Sequence, residues 1–275
     1  MVSEVRVSLG RMPPARKRTR SYDPVRIRTA VLAQFGHVRD AVGTLTAEQL
    51  ARPTRLGDWT VRELAAHIAL TFGALAGALD HPEPAEADAA LLDWPFSAAG
   101  WSGAPDEGAR PAAGASRDLP ALYGRTAEAV GAALAGSSAE RLVRTGSGGM
   151  RLGDHLVTRA VELVVHTDDL ADATGLDVPY ERQALAASVR LLADALAVKA
   201  PGGSVELRIP PYAVVQCVEG PRHTRGTPPN VVETDPLTWI RLATGRQGWA
   251  AAREAARVSA SGERSDLSAL LPLRA

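Results

Sequence analysis

The fold of this 275-residue chain is decided in the segment GDWTVRELAAH, residues 57–67. Thr60 is followed three residues later by Glu63, which is the spacing of a capping box, so a helix is predicted to begin after Thr60. His67 lies at the edge of the apolar face of that helix, where residues recur every three or four positions. The residues of this face are Val61, Leu64, Ile68, Phe72, Leu75 and Leu79.

Helical spacing also recurs on both sides of this segment. A long first helix is predicted after Asp23 and Pro24, which read as a cap with a proline in the first turn. Further helical patterns cover residues 117–136, 150–174 and 181–199. Helices of this length and number predict a four-helix bundle with one extra helix over residues 23–200.

The pattern changes after the turn PGG at residues 201–203. Alternating apolar residues predict short strands there, and Asp235 followed by Pro236 predicts a helix that runs to Leu242. The predicted strands are 205–209, 213–218, 231–234 and 257–261, with a second helix at 248–256. The fold class is therefore α plus α+β, with a small α+β domain over residues 201–275.

The composition excludes several classes of protein. A hydrophobic content of 45% with 23% charged residues is typical of a globular chain and excludes collagen and wholesale disorder. The only cysteine, Cys217, excludes an intramolecular disulfide and a zinc ribbon, and its place in an apolar strand favours a buried small hydrophobe over a nucleophile. No apolar run is expected to reach the ~18 residues of a membrane span, and the chain does not open on a signal-peptide pattern, so a cytoplasmic protein is expected.

Two segments depart from this globular pattern. Residues 1–30 hold eight basic and two acidic side chains, although the 31 basic and 31 acidic residues of the whole chain cancel. We interpret residues 1–22 as a disordered basic tail, with nucleic-acid binding as the less favoured alternative, because the remainder is acidic. Residues 80–116 contain five prolines and three bulky aromatic residues, and predict either a docked lid or a disordered loop.

The residues best suited to chemistry are histidines and a glutamate on two helices. Glu162 and His166 are four residues apart, so both project from one face of the predicted helix 150–174, and His155 lies near the same stripe. Together with His67 from the earlier helix, Glu162 and His166 would form a His₂Glu set, which is the ligand set of catalytic zinc sites. Satisfied core histidines are the alternative. Asp169 would accept a hydrogen bond behind the ligands or lie on the surface.

Two segments resemble known motifs. GDWTVRELAAH (57–67) and RAVELVVHTDDL (159–170) resemble the two metal motifs of the mycothiol-dependent maleylpyruvate isomerase N-terminal family, a branch of the DinB-like metal-binding bundles. The resemblance implies a divalent metal, typically zinc, held by His67, Glu162 and His166. It also implies mycothiol as the thiol cofactor. Arg159 is the candidate catalytic residue that would hold a substrate carboxylate.

Residues 203–273 resemble the bacterial sterol carrier protein-like domain rather than the C-terminal domain expected of the isomerase. That resemblance implies an apolar cleft, for which Trp239 and Trp249 are candidate lining residues, with plain core packing as the alternative.

Two functions remain open from the sequence. The first is a mycothiol-dependent enzyme that adds a small-molecule thiol to a small electrophile, by isomerisation or transfer. The alternative is a non-enzymatic, metal-stabilised protein that binds an apolar ligand or a partner through its sterol carrier-like domain.

Overall fold

A computed structural model describes residues 20–97, 118–221 and 228–273 of the chain. Most of the basic tail and the second half of the proline-rich segment, including Trp101, lie outside these residues. The helices are α1 (Pro24–Gly43), α2 (Ala47–Leu50), α3 (Val61–Asp80), α4 (Leu119–Ala135), α5 (Leu152–Thr174), α6 (Arg182–Lys199), α7 (Pro236–Ala243) and α8 (Trp249–Glu254). The strands are β1 (Leu142–Thr145), β2 (Gly148–Arg151), β3 (Val205–Ile209), β4 (Ala213–Cys217), β5 (Val231–Thr234) and β6 (Val258–Ser261).

Helices α1, α3, α4 and α5 form a four-helix bundle in which each helix packs against two of the others. The predicted caps explain where these helices begin. Asp23 accepts hydrogen bonds from the first-turn backbone of α1, and Thr60 and Glu63 form a reciprocal capping box at the start of α3. Helix α5 ends at Gly175, whose φ of 74° is the left-handed conformation that glycine adopts without strain. The predicted bundle is confirmed.

Helix α6 joins the bundle to the C-terminal unit. It packs against α1 and α5 on one side and against β4 and α7 on the other. The C-terminal strands form one sheet in the order β4-β3-β5-β6, in which β3 and β5 are parallel and the other pairs antiparallel. All four predicted strands of this unit and both predicted helices are present, so the α plus α+β fold class is confirmed.

A β-hairpin was not predicted from the sequence, and an extended strap lies where either a docked lid or a disordered loop was expected. Strands β1 and β2 pair between α4 and α5, and residues 83–89 run across this hairpin. Glu83 accepts a hydrogen bond from the Leu142 amide, and Asp88 accepts one from the Gly149 amide. Gly149 is needed at this crossing because an added Cβ would come within 2.2 Å of the Glu86 carbonyl oxygen. Residues 83–89 are therefore docked, and Trp94 farther along is buried.

Among the described residues, one helix, α3, has the length and apolar composition that would allow it to cross a membrane. The expectation that no segment passes this test was therefore wrong. Its Leu64, Ala65 and Phe72 are buried in the bundle. Because a helix at the centre of a core has the same composition, this feature is weak evidence for a membrane span.

Three sequence candidates lie in or against the core of the C-terminal unit. The Cys217 side chain is fully buried in β4, as expected of a small hydrophobic residue. Trp239 on α7 is 1% exposed, and Trp249 on α8 packs partly buried against the same core. Both tryptophans therefore serve the packing of this unit, which was the alternative to lining a cleft.

The aromatic cluster of the bundle gives a test of this packing. Phe35 stacks between Phe72 and Tyr123, with ring centroids 4.4 and 5.1 Å away. We expect Phe35→Ala to lower the free energy of unfolding by about 3–5 kcal/mol, because it leaves a cavity that the helices cannot close. Val25→Ala, at an exposed position of the same helix, should change it by less than about 0.5 kcal/mol. Urea unfolding followed by circular dichroism measures the free energy of unfolding of both variants. Equal losses in the two variants would contradict the packing described for Phe35.

Candidate functional site

The two predicted histidine ligands face each other across the bundle. His67 on α3 and His166 on α5 lie edge to face, with ring centroids 5.3 Å apart. The Trp59 ring packs against His67 from the other side, at 5.2 Å between centroids. Trp59 precedes the cap of α3, so the same segment that starts the helix also fixes the position of its imidazole.

Glu162 lies one turn before His166, where it forms a two-point ion pair with Arg159. One guanidinium nitrogen donates to Oε1 at 2.8 Å and another lies 2.7 Å from Oε2. Both side chains are mostly buried. Arg159, expected to hold a substrate carboxylate, is thus bound to a carboxylate of the protein itself.

A small cleft, open to solvent, brings these groups together with apolar side chains. About 220 Å³ lies between its atoms, part of it open solvent, and the space that the centre of a water-sized sphere can reach is only about 10 Å³. Its lining residues are Ile68, Thr71, Phe72, Arg159, Glu162, Leu163 and His166. Within residues 20–97, 118–221 and 228–273, no three His, Cys, Asp or Glu side chains are grouped closely enough to hold a metal ion. The structure therefore brings His67 and His166 together and places Glu162 with His166 at the cleft, but His67 is not among the lining residues and the three side chains do not converge.

Asp169 fixes the orientation of His166. Its carboxylate lies 3.0 Å from Nδ1 of His166 and also accepts two hydrogen bonds from Arg246 of the C-terminal unit. Burial would raise the pKa of Asp169, but the hydrogen bonds from His166 and Arg246 and the charge of Arg246 outweigh it and hold the pKa well below its usual value. An ionised carboxylate only accepts hydrogen bonds, so Nδ1 of His166 carries the hydrogen. In the neutral ring this leaves Nε2 as the free nitrogen.

Asp168, the preceding residue, is buried in a second set of ion pairs. Arg241 of the C-terminal unit and Arg55 of the loop before α3 both bind its carboxylate, and the Tyr180 hydroxyl donates to it at 3.3 Å. Arg55 Nε also lies 3.0 Å from Asp169 Oδ1. Sequence reasoning missed Arg55, Arg241 and Arg246. The available signal was the pair of adjacent aspartates in an otherwise apolar helix, since buried acids require cationic partners.

Burial also sets the protonation of two histidines. Burial, and the charges of His166 and Arg159, lower the pKa of His67 to about 3, so its ring is neutral near pH 7. Burial and the charge of Arg159 likewise lower the pKa of His155 well below its usual value. His155 contacts Thr158 on its own helix and is not part of the cleft, which agrees with a packing role.

Comparison with known proteins identifies the family. The sequence profile described as the mycothiol maleylpyruvate isomerase N-terminal domain matches residues 31–171, more than half of the chain. The chain belongs to this family. A second profile, described as the bacterial SCP ortholog, matches residues 181–273 and so includes α6. No curated protein sequence matches the chain.

Two solved structures of this family share the fold. The mycothiol-dependent maleylpyruvate isomerase aligns with a TM-score of 0.55 and 18% identity, over 89% of this chain and 95% of the other. A histidine-to-alanine mutant of the isomerase aligns over the same shares, with a TM-score of 0.54 and 17% identity. At this identity the likeness shows the fold alone. Because it spans 89% of the chain, it extends into the C-terminal unit, which was expected to differ from that of the isomerase.

The buried Asp169 gives a stability prediction. We expect Asp169→Asn to lower the free energy of unfolding by about 3–5 kcal/mol, because it leaves Arg246 buried without its charged partner. Asp172→Asn is the matched control, since Asp172 lies on the same helix but is 58% exposed. Chemical unfolding at pH 7 measures both variants. A loss below 1 kcal/mol for Asp169→Asn would contradict the ion pairs described here.

The buried histidine gives a pH prediction. The folded-state pKa of His155 lies below that of the unfolded chain, so below about pH 6.5 the unfolded state binds the extra proton and stability falls as the pH decreases. We expect His155→Gln to reduce this slope by up to about 1.4 kcal/mol per pH unit. Unfolding free energies between pH 7 and 5 test it, with exposed His81→Gln as the control. An unchanged slope would show that His155 is protonated in the folded protein.

Proposed function

We propose that this protein is a mycothiol-dependent enzyme that adds the thiol to a small carboxylate-bearing electrophile, with a divalent cation, zinc, held by His67, Glu162 and His166. One observation carries the proposal: two imidazoles from separate helices meet beside a cleft that also contains a glutamate and an arginine. Family membership supports it, because the matching profile and the related solved structures are named for a mycothiol-dependent isomerase.

His67, Glu162 and His166 carry the donor atoms that a divalent cation requires, and their arrangement matches such a site in part. His67 is neutral, as a ligating imidazole must be, and the hydrogen bond from His166 to Asp169 is the outer contact that orients ligating histidines. Glu162 lies at the cleft but is bound to Arg159, whose positive charge opposes a cation beside the same carboxylate. The donor set therefore matches a His₂Glu site once Glu162 is released.

The chemistry follows from these groups. A cation at this site would lower the pKa of the mycothiol thiol, because positive charge favours the thiolate. The thiolate sulfur would form a bond to an electron-poor carbon of the double bond, whose electron pair moves onto the electrophile. Protonation of that electron pair would give a stable conjugate. Alternatively, the electron pair would re-form the double bond as the thiol leaves, which would give an isomer. Ile68, Phe72 and Leu163 at the cleft would pack against the apolar part of the electrophile. We place the activity in the cytoplasm, where small thiols stay reduced.

Metal content and thiol consumption test the proposal on the full chain. The protein is loaded with zinc, its metal content is measured, and mycothiol loss is followed with a panel of α,β-unsaturated carboxylates. We expect thiol consumption that is abolished by a chelator and restored by zinc. His166→Ala should lose bound zinc and slow the reaction by about a hundredfold or more, since the cation contributes several kcal/mol to such reactions.

The matched control is His81→Ala, which removes an exposed histidine outside the cleft and should change neither reading. A protein that binds zinc but leaves mycothiol unchanged across the panel would overturn the enzyme proposal and favour the non-enzymatic, metal-stabilised alternative.

A further inference from the structure

The ion pair between Arg159 and Glu162 uses both oxygens of the glutamate. Two guanidinium nitrogens face the two carboxylate oxygens at 2.8 and 2.7 Å, the parallel arrangement that is strongest for this pair. The side chains are 12% and 15% exposed, so solvent screens the attraction only in part. In the part of the chain that the structure describes, Glu162 is the one carboxylate within salt-bridge distance of Arg159.

A cation and Arg159 would therefore compete for the same atoms. A carboxylate has about four acceptor sites, and Arg159 occupies two of them, one on each oxygen. A dication at the remaining sites would lie close to the positively charged guanidinium, and this repulsion disfavours holding both. Coordination by Glu162 is therefore strongest when Arg159 turns away from it.

Arg159 has little else to bind when it leaves Glu162. Within the described residues, the other hydrogen bond of Arg159 is a long one, 3.3 Å from Nε to the hydroxyl of Thr158. The side chain lines the cleft beside Ile68 and Leu163, where a guanidinium without a partner is costly to bury. A carboxylate entering the cleft would replace Glu162 with the same two-point geometry.

We propose that Arg159 is a switch residue: it holds Glu162 until a cation takes that carboxylate, and the released guanidinium then binds the carboxylate of the substrate. This inference rests on the proposed function and adds to it an order in which the cation and the substrate bind. The anion site forms only when the metal site is filled. Because the two events are linked through Glu162, the carboxylate strengthens cation binding by the same factor as the cation strengthens carboxylate binding.

Zinc affinity is the first measurement, by competition with a chromophoric chelator. Arg159→Met removes the competitor of the cation, and we expect zinc to bind about threefold to tenfold more tightly, the range of a partly buried ion pair. Glu162→Gln should weaken zinc binding. Arg208→Met is the control, because Arg208 forms a short ion pair with Glu206 on β3, away from the cleft. It should leave zinc affinity unchanged, and circular dichroism verifies that all variants fold.

Succinate, an unreactive dicarboxylate, is the second probe, with neutral succinamide as its control. Succinate should tighten zinc binding to the wild-type chain severalfold and have no effect on Arg159→Met, whereas succinamide should affect neither. Zinc binding that weakens in Arg159→Met as it does in Glu162→Gln would overturn the inference, because Arg159 would then merely position the ligand. Succinate coupling that persists in Arg159→Met would also overturn it.

The outcomes separate this inference from the proposed function. If the wild-type chain binds zinc and consumes mycothiol while Arg159→Met gains no affinity, the switch is wrong and the enzyme stands. If neither protein binds zinc, the proposed function is wrong and the switch falls with it. If only Arg159→Met binds zinc, competition by Arg159 is established directly.

Discussion

The structure depends on the burial of two adjacent carboxylates, Asp168 and Asp169, near the end of α5. Neither could remain ionised in a helical core without compensation, since an isolated buried charge is far more costly than a folded domain can tolerate. Three arginines from outside the helix supply that compensation: Arg55 from the loop before α3, and Arg241 and Arg246 from the C-terminal unit. The requirement for charge pairing therefore fixes the C-terminal unit against the bundle.

The ion pairs of Asp168 and Asp169 also extend to the candidate site. Asp169 binds Arg246 on one side and the His166 ring on the other, so one carboxylate connects the interface of the two units to the imidazole. A shift of the C-terminal unit that moved Arg246 would change the partners of Asp169, and with them the orientation of His166. The aligned isomerase structures span both units as well.

The parts of this fold that were predicted from the sequence are those set by local interactions. Thr60 and Glu63 predicted the start of α3, and the positions of His67 and His166 beside their apolar faces predicted that the rings would meet. The hairpin β1–β2 was missed because its two strands are four residues each and lack clear alternation. The arginine partners were missed because their pairing is decided by tertiary packing, more than 70 residues apart in sequence for Arg241 and Asp168.

Charge balance gives the proposed chemistry a further constraint. The paired Arg159 and Glu162 contribute no net charge to the cleft, and Asp169 is already balanced by Arg246. A dication would bring the charge of the cleft to +2, which a mostly buried site tolerates poorly. One thiolate and one substrate carboxylate restore neutrality, whereas either of them alone does not. In the proposed reaction, this charge balance would favour binding of the thiolate and the substrate carboxylate together.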